Sequence, residues 1–371
     1  MVFQANPLYG RSQKHPVGMA ATKKPGRPLL CGYYGEHNLG DDALLEVLLS
    51  QLPPACEPLV TARDEPWVRD RFGVETCDRR RFGEVMASLL TRDVLVLGGG
   101  SLLQDATSLN SLLYYCLLIL TARLLGKRVL LWGQGLGPLR RPESRLLVRV
   151  VLPLATAISW RDGTSAHLAE RLGRRRHFVG SDPVWAYPRR TWQGQGGAIV
   201  LCWRPVKALE CEGWRPYLEA LAVLTDRGGR DVVWLPFHQD QDCGLLQLLH
   251  QSGLIPPRLA RRCREVTVTD PEGAMDLFAK AGLVLAMRLH GLILAALAGC
   301  PVAALSYDPK VAAAASSLGC PSQDLGTPPA AELAEQWWRL VDQPPSEQTL
   351  DALRAGTEVH GRLLRQVLTT A

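Results

Sequence analysis

The chain has 371 residues, of which 47% are hydrophobic and 21% charged, a composition that excludes a disordered chain, a collagen and a coiled coil. Two domains are expected, because single domains commonly hold roughly 100–200 residues. The formal net charge is +6, but residues 1–28 carry five basic residues and no acidic one. The remaining residues therefore carry only +1 (6 − 5), which argues against a nucleic-acid partner.

Residues 1–28 are predicted to form a disordered basic leader, in which Gly and Pro recur. They lack the apolar stretch that a secretory signal requires. Of the two longest runs with few charges, residues 109–122 are too short to span a bilayer and residues 282–307 are interrupted by charges and a proline. The ten cysteines form no C-x-x-C pair. A cytoplasmic protein without a transmembrane helix is expected, and its basic leader favours peripheral contact with the inner face of an anionic plasma membrane.

From residue 29 onward, apolar runs of strand length alternate with helical patterns, which is typical of βαβ units in a parallel sheet. The sequence predicts strands at residues 93–97, 127–132 and 156–160, and helices at residues 108–125, 144–154 and 164–172. These elements predict a Rossmann-like domain over residues 29–186.

Residues 187–197 are rich in Pro, Gly and Gln and are predicted to link this domain to a second one. The alternation then resumes, with strands predicted at residues 198–202, 231–235, 265–267, 283–286 and 302–305, and a helix at residues 271–281 capped by Asp270. A second Rossmann-like domain is expected over residues 198–325, with two helices in residues 326–371. The fold class is therefore α/β, two doubly wound domains facing a cleft, with ligands outside the carboxyl ends of the strands.

Three glycine-rich segments, residues 32–42, 98–105 and 133–138, each follow a predicted strand of the first domain. Glycine permits positive φ and a close backbone approach, so exposed N–H groups there could bind an anion or sugar oxygens. Tight structural turns are the alternative, with Asp41 or Asp42 capping the next helix. Three such turns at one sheet edge favour a substrate-binding rim. The candidate acceptor-binding residues are Gly35, Asn38, Asp41, Asp42, Gly99, Gly100, Gln104, Asp105 and Gln134.

Four cations follow strands of the second domain: Arg204, Arg288, His290 and Lys310. Arg288 lies in apolar surroundings, where its charge requires an anion from either a ligand or a protein carboxylate. His290 can act as an acid or base near neutral pH, although a satisfied core histidine is the alternative. Lys310 suits a phosphate oxygen or a proton-transfer role, unless Asp308 simply neutralises it. The four predict a pocket for a small anion that bears phosphate and carboxylate groups.

Arg161 lies just past the strand predicted at residues 156–160 and could bind the same anion through its guanidinium fork. A surface pair with Asp162, or a helix cap from Asp162, explains this dipeptide equally well. The sequence contains no cluster with metal-ligand spacing, and neither a metal nor a resident cofactor is predicted.

Six motifs, in order, resemble those of the polysaccharide pyruvyl transferases, closest to the CsaB-type enzymes of bacterial cell surfaces. They are G-Y-Y-G-E-H-N-L-G-D-D-A-L-L at 32–45, L-G-G-G-S-L-L-Q-D at 97–105, G-Q-G-L-G-P at 133–138, R-D-x-x-S-A at 161–166, M-R-L-H at 287–290 and S-Y-D-P-K at 306–310. The sequence departs from the family at Asp42, where Glu is frequent, and at Trp160 and Trp203, which replace smaller apolar residues. The resemblance covers residues 29–320.

This resemblance implies a fold similar to that of GT-B glycosyltransferases and the transfer of pyruvate from phosphoenolpyruvate to a sugar as a ketal. It further implies a lipid-linked cell-wall acceptor that contains N-acetylmannosamine, used to anchor surface-layer proteins. On this hypothesis Arg204, Arg288 and Lys310, with Arg161, bind phosphoenolpyruvate, and His290 is the preferred general acid. The chemistry needs phosphoenolpyruvate as a co-substrate and no cofactor.

Two other functions fit the same scaffold. A GT-B glycosyltransferase that uses a nucleotide sugar could hold a diphosphate in the cationic pocket. A non-enzymatic glycan-binding protein is the second alternative, against which the combination of Arg288, His290 and Lys310 argues. Fold alone does not separate these functions.

Overall fold

The structure, a computed structural model, describes residues 26–329 and 331–369. The predicted leader lies outside the described residues except for residues 26–28. There Gly26 donates its N–H to the carbonyl of Leu368 at 2.9 Å, and the first strand begins at Pro28. No helix of the described residues is long and apolar enough to cross a membrane.

The first sheet contains seven parallel strands in the order β3-β2-β1-β4-β5-β6-β7. In chain order they are β1 (Pro28–Tyr34), β2 (Leu59–Ala62), β3 (Glu75–Asp78), β4 (Val94–Gly98), β5 (Arg128–Gln134), β6 (Ala157–Trp160) and β7 (Phe178–Val179). The central strands β1 and β4 are buried along almost their whole length, as their continuous apolar runs predict.

Six helices connect these strands: α1 (Leu39–Ser50), α2 (Glu65–Phe72), α3 (Phe82–Thr91), α4 (Leu109–Leu124), α5 (Pro142–Val151) and α6 (Gly163–Arg171). Helices α3 to α6 pack together on one face of the sheet, where their apolar residues form a single core with β4, β5 and β6. Helix α1 contributes to a different core on the opposite face. Its N-cap is Asn38, which accepts the N–H of Gly40 at 3.1 Å, so the predicted capping by Asp41 or Asp42 is wrong.

The second sheet contains six parallel strands in the order β10-β9-β8-β11-β12-β13. They are β8 (Ile199–Cys202), β9 (Val232–Trp234), β10 (Cys263–Glu265), β11 (Leu283–Ala286), β12 (Val302–Ser306) and β13 (Ser322–Asp324). The strand predicted at residues 265–267 therefore begins two residues earlier, because Cys263 pairs with Val232 on β9.

The remaining helices are α7 (Arg215–Gly228), α8 (Gln239–Asp242), α9 (Leu245–Gln251), α10 (Pro257–Ala260), α11 (Pro271–Ala279), α12 (Leu289–Leu297), α13 (Pro309–Leu318), α14 (Leu333–Leu340), α15 (Glu347–Ala355) and α16 (Glu358–Thr369). Asp270 caps α11 as predicted, accepting the N–H of Gly273 at 2.7 Å. The two helices predicted for residues 326–371 are in fact three. The last of them, α16, crosses back to pack on β5 and β6 of the first sheet.

The two units are joined by helix packing as well as by the linker. Helix α1 of the first unit packs against α11 and α12 of the second. Their buried side chains belong to one continuous apolar core, in which Leu44 and Leu48 of α1 and Leu292 of α12 are fully buried or nearly so. In each sheet the strand order reverses, between β1 and β4 and between β8 and β11, which is where open α/β sheets bind ligands.

Candidate functional site

The loop that follows β1 pairs with the loop that follows β9 across the cleft. Leu39 donates its N–H to the carbonyl of Phe237 at 3.1 Å, and Gln239 donates to the carbonyl of His37 at the same distance. These two bonds form a short antiparallel bridge between Asn38 and His238. The bridge fixes the glycine-rich loop of the first unit against the second unit.

An ionic cluster lies beside this bridge. The buried carboxylate of Glu36 accepts from Arg63 and Arg79, at 2.8 Å in each case. Arg63 also donates to Asp240 of the second unit at 2.8 Å. The cluster thus connects the two units, and the sequence analysis did not anticipate it.

Gly40 on α1 lies directly against His290 on α12. A Cβ at residue 40 would lie 2.2 Å from Nδ1 and 2.7 Å from Cβ of His290, closer than any real contact allows. Only glycine therefore permits α1 and α12 to approach at this point. The contact brings the imidazole to the edge of the first unit, beside the glycine-rich loop.

The other ring nitrogen of His290 faces a chain of polar groups in the first unit. Nε2 of His290 lies 3.7 Å from Oδ2 of Asp182, which is 3.3 Å from Nη1 of Arg161. Arg161 in turn donates from Nη2 to the hydroxyl of Ser101 at 2.9 Å. Burial alone would raise the pKa of Asp182, but the adjacent His290 and Arg161 bring it down to about 2. Asp182 is therefore ionised at neutral pH and places a negative charge 3.7 Å from Nε2 of His290.

Asp41 supplies a carboxylate on the first-unit side of the same space. It accepts from the side-chain amide of Asn38, and its Oδ1 would lie 3.8 Å from a Cβ at Gly100. Burial raises the pKa of Asp41, and the positive charges of His290 and other second-unit cations partly oppose that rise. A carboxyl group with a raised pKa can take up a proton from a substrate more readily than an ordinary one.

The guanidinium of Arg288 is held by a protein carboxylate. Its Nε donates to Oδ2 of Asp242 at 3.0 Å and its Nη2 to Oδ1, while Nη2 also reaches Oε1 of Gln241 at 3.2 Å. The carboxylate of Asp242 is completely buried and also accepts the N–H groups of Phe237 and His238. Of the two anions that the sequence left open for Arg288, the structure thus contains the protein one. Nη1 of Arg288 has no hydrogen-bond acceptor among the described residues.

Arg204 and Lys310 both contact residues of the turn that follows β12. Nη1 of Arg204 donates to the Tyr307 hydroxyl at 3.2 Å, and its guanidinium carbon lies 5.3 Å from the centroid of that ring. Nζ of Lys310 lies 3.4 Å from Oδ2 of Asp308 and its side chain is 38% exposed. Arg288 and His290 thus follow β11, which lies between β8, followed by Arg204, and β12, followed by Lys310.

Two predicted acceptor-binding residues, Gln134 and Asp105, hydrogen-bond to the backbone of the rim loops. Gln134 is fully buried and donates to the carbonyls of Leu97 and Gly99, at 3.0 and 2.7 Å. Asp105 accepts the N–H groups of Arg140 and Arg141, each at 2.8 Å. These contacts set the course of the loops that follow β4 and β5.

Some of the other predicted rim residues lie at the cleft, and the rest lie away from it. Gly99 and Gly100 have φ of 80° and 72°, and Gly35 has φ of 67° and approaches the backbone of Asp64. Gln104 hydrogen-bonds to Thr107 within its own turn. Asp42 is buried away from His290, and burial, together with the adjacent Asp41, raises its pKa.

His238, Asp182 and Asp242 were missed by the sequence analysis. His238 is only 3% exposed, and neither of its ring nitrogens has a partner among the described residues. Burial and the nearby Arg288 lower its pKa. The available signal was the polar run of residues 238–242 directly after the strand predicted at 231–235. Asp182 follows a two-residue strand that carries no clear pattern.

Solved structures similar to this fold include UDP-GlcNAc 2-epimerases and MurG. A UDP-GlcNAc 2-epimerase from Methanocaldococcus jannaschii superposes with a TM-score of 0.61 at 11% identity, covering 91% of this chain and 98% of that one. The UDP-GlcNAc 2-epimerase from Neisseria meningitidis gives 0.58 at 12% identity, covering 93% and 100%. MurG from Acinetobacter baumannii gives 0.51 at 13% identity, covering 93% and 100%. At these identities the likeness establishes the GT-B-like fold alone.

The sequence itself matches a family model. The model for polysaccharide pyruvyl transferase matches residues 38–309, which contain most of the glycine-rich rim, Arg161, Arg204, Arg288 and His290, while Lys310 lies one residue beyond the match. No curated protein matches the sequence significantly. The chain belongs to the polysaccharide pyruvyl transferase family, and the predicted GT-B-like fold is confirmed.

Proposed function

We propose that this pyruvyl transferase takes pyruvate from phosphoenolpyruvate and joins it to a saccharide as a ketal, with release of inorganic phosphate. The observation that carries the proposal is that Asp41 lies on one side of the cleft and His290, Arg288 and Lys310 lie on the other. The positive charges of these three side chains act on the Asp41 carboxylate. A cleft with cations on one side and a carboxyl group with a raised pKa on the other suits an anionic donor and a hydroxyl acceptor.

The cations of the second unit would bind the donor. Phosphoenolpyruvate carries a carboxylate and a phosphate, and Arg288, Arg204 and Lys310 could neutralise them, with Arg161 on the opposite side of the cleft. Helices α12 and α13 also begin at these strand ends, so their N-terminal N–H groups favour an anion. Nε of Arg204 is buried without an acceptor among the described residues, and a substrate oxygen would satisfy it.

His290 is the proposed general acid. Its Nε2 lies 3.7 Å from the ionised carboxylate of Asp182, and its position is fixed by Gly40. Transfer of its proton to the methylene carbon of phosphoenolpyruvate forms the methyl group and gives C2 oxocarbenium character. The first sugar hydroxyl then forms a C–O bond to C2.

Asp41 is the proposed base for the attacking hydroxyl. Its carboxylate would take the proton that the first hydroxyl loses as the C–O bond forms. Phosphate leaves as the second hydroxyl of the same sugar bonds to C2, and the proton of that hydroxyl passes to the departing phosphate. The two protons lost by the sugar therefore balance the proton gained by the methylene carbon and the one gained by phosphate, and transfer of the proton from Asp41 to His290 through solvent restores both groups.

The glycine-rich loops after β1, β4 and β5 would hold the acceptor. We propose a lipid-linked cell-wall saccharide containing N-acetylmannosamine, of the kind that surface-layer anchoring polymers use. This choice is supported by the order and spacing of the motifs in residues 32–138 and by Gly100, which is partly exposed at the rim.

Mass spectrometry of lipid-linked saccharides incubated with phosphoenolpyruvate tests the proposal. The expected result is a saccharide that gains the pyruvyl ketal, together with one equivalent of phosphate. His290→Gln should lower the rate by ~10²–10⁴-fold, which is the usual contribution of a general acid. His250→Gln is the matched control, because His250 lies exposed on α9. Normal turnover by His290→Gln would exclude His290 as the acid.

The rival donor is a nucleotide sugar, and ligand-dependent stabilisation separates the two. Phosphoenolpyruvate should raise the melting temperature progressively with its concentration, since a ligand that binds only the native state stabilises it. Stabilisation by a UDP-sugar, with none by phosphoenolpyruvate, would favour a glycosyltransferase and overturn the proposed donor.

A further inference from the structure

Exposed large apolar side chains are concentrated on one face of the first unit. Of the thirteen that the described residues contain, nine lie on or beside helices α3, α4 and α5. The outer helices of the second unit, in contrast, expose only Val223 on α7 and Leu248 on α9. Isolated exposed apolar residues need no explanation, but a concentration of this kind marks an interaction surface.

The exposed residues lie on three neighbouring helices. On α4 they recur with the spacing of a single helical face, at Leu113, Leu117, Leu120 and Leu124, the last 78% exposed. Helix α4 packs against both α3 and α5. Seven of the nine, here called the apolar helix face, are Leu90, Leu113, Leu117, Leu120, Leu124, Leu146 and Val150.

Positive charge surrounds the apolar helix face. Residues 109–151 contain seven basic residues and one acidic residue, a net charge of +6 (7 − 1). Six of the basic side chains form no ion pair with any carboxylate of the described residues. They are Arg123, Lys127, Arg140, Arg141, Arg145 and Arg149.

Two of these cations are held at the edge of the apolar helix face by backbone carbonyls. Nζ of Lys127 donates to the carbonyl of Leu90 at 3.2 Å, and Nη1 of Arg123 donates to the carbonyl of Lys127 at 3.0 Å. Arg145 and Arg149 are exposed on α5, beside Leu146 and Val150. An apolar strip with unpaired cations along its edges is complementary to lipid chains beneath anionic headgroups.

We propose that the apolar helix face binds the surface of an anionic lipid bilayer. A second copy of the chain fits less well, because a twofold contact would bring the same unpaired cations together. Helices α4 and α5 both follow the rim loops that come after β4 and β5, so a bilayer on this face would lie beside the acceptor side of the cleft. The proposal goes beyond the proposed reaction and does not depend on it.

Cosedimentation with vesicles tests the proposal with the full chain. The vesicles are phosphatidylcholine alone, or phosphatidylcholine with one part in three of phosphatidylglycerol. Wild type should bind the anionic vesicles and lose this binding at high salt, since screening acts on surface charge. Leu117→Glu with Leu124→Glu should lower the partition coefficient at least about tenfold, from the lost apolar contact and the added charge. Val223→Glu is the matched control, because Val223 and Leu117 are both 46% exposed.

A second variant leaves the apolar side chains unchanged. Arg145→Gln with Arg149→Gln should also weaken binding about tenfold and reduce its salt dependence, because each basic residue near the surface contributes separately. Equal binding by wild type and both double variants would overturn the proposal, as would no binding by wild type. A wild-type dimer that Leu117→Glu converts to monomer in light scattering would assign the face to a second copy instead. None of these measurements involves pyruvyl transfer.

Discussion

Gly40 and His290 are in direct contact across the cleft, and one additional carbon on residue 40 would lie 2.2 Å from the imidazole. The contact connects the start of α1 in the first unit to the start of α12 in the second. It therefore fixes the proposed acid relative to the rim loops, independently of any substrate.

Gly40→Ala should disturb this arrangement while leaving the chemistry of every side chain unchanged. The new methyl group would also lie 2.7 Å from Cβ of His290, which cannot move without its helix. We expect kcat to fall by roughly 10²-fold, because displacement of a reacting group by about 1 Å costs that much. Steady-state kinetics with phosphoenolpyruvate measures the effect.

Gly83→Ala is the control for that experiment. Gly83 lies on α3, and no atom would lie within 4 Å of its Cβ. This substitution should leave kcat unchanged. Wild-type kcat in Gly40→Ala would show that the imidazole is not fixed by the helix contact.

The sheets and rim loops were predictable from local sequence, but the contacts that complete the site were not. Short apolar strands followed by glycines identify strand ends without reference to the rest of the chain. Gly40 and His290 meet only because α1 packs on α12, which no local pattern records. Asp242 is likewise an ordinary residue of a polar loop until β9 and β11 bring it to Arg288.

Asp182→Asn should cost stability in a pH-dependent way. The folded pKa of Asp182 is about 2, below its ordinary 3.8, so its ionised form stabilises the fold. A shift of this size corresponds to about 2 kcal/mol of unfolding free energy at pH 6. The contribution is complete above the ordinary value and is lost as the pH falls toward 2. Urea unfolding of both proteins should give a difference at pH 3 about half that at pH 6.

Asp226→Asn serves as the control for Asp182. Its carboxylate is 41% exposed in a pair with Arg258, and exposed pairs contribute little to stability. A difference between wild type and Asp182→Asn that does not change between pH 6 and pH 3 would contradict the assigned interaction with His290 and Arg161.

Arg288→Lys and Arg204→Lys should separate the contribution of each arginine to fold stability from its contribution to substrate binding. Lysine retains the charge but cannot reach both oxygens of the buried Asp242, so Arg288→Lys should lower the unfolding free energy by about 1–3 kcal/mol. Arg204 donates to one hydroxyl, that of Tyr307, and its replacement should cost little stability. Both variants should raise the KM for phosphoenolpyruvate. Unchanged KM in either variant would remove that arginine from the proposed donor site.

His238→Leu should make the protein less sensitive to mild acid. Burial, aided by Arg288, lowers the pKa of His238, so the native state holds the neutral ring and the unfolded chain takes up a proton near pH 6.5. This proton uptake favours the unfolded chain, so the unfolding free energy decreases as the pH falls from 6.5 to 5. The unfolding free energy of wild type should fall more steeply between pH 7 and pH 5 than that of His238→Leu, by up to about 1.4 kcal/mol per pH unit.

The same substitution should not destabilise the protein at pH 7. Both ring nitrogens of His238 are buried without partners among the described residues, and an apolar side chain of similar size leaves no polar atom unsatisfied. His250→Leu, on an exposed position of α9, should retain the wild-type dependence on pH. His360 is also buried with a lowered pKa, but it is present in every protein compared and cancels from the difference. Parallel pH profiles for wild type and His238→Leu would mean that His238 is not held neutral in the native state.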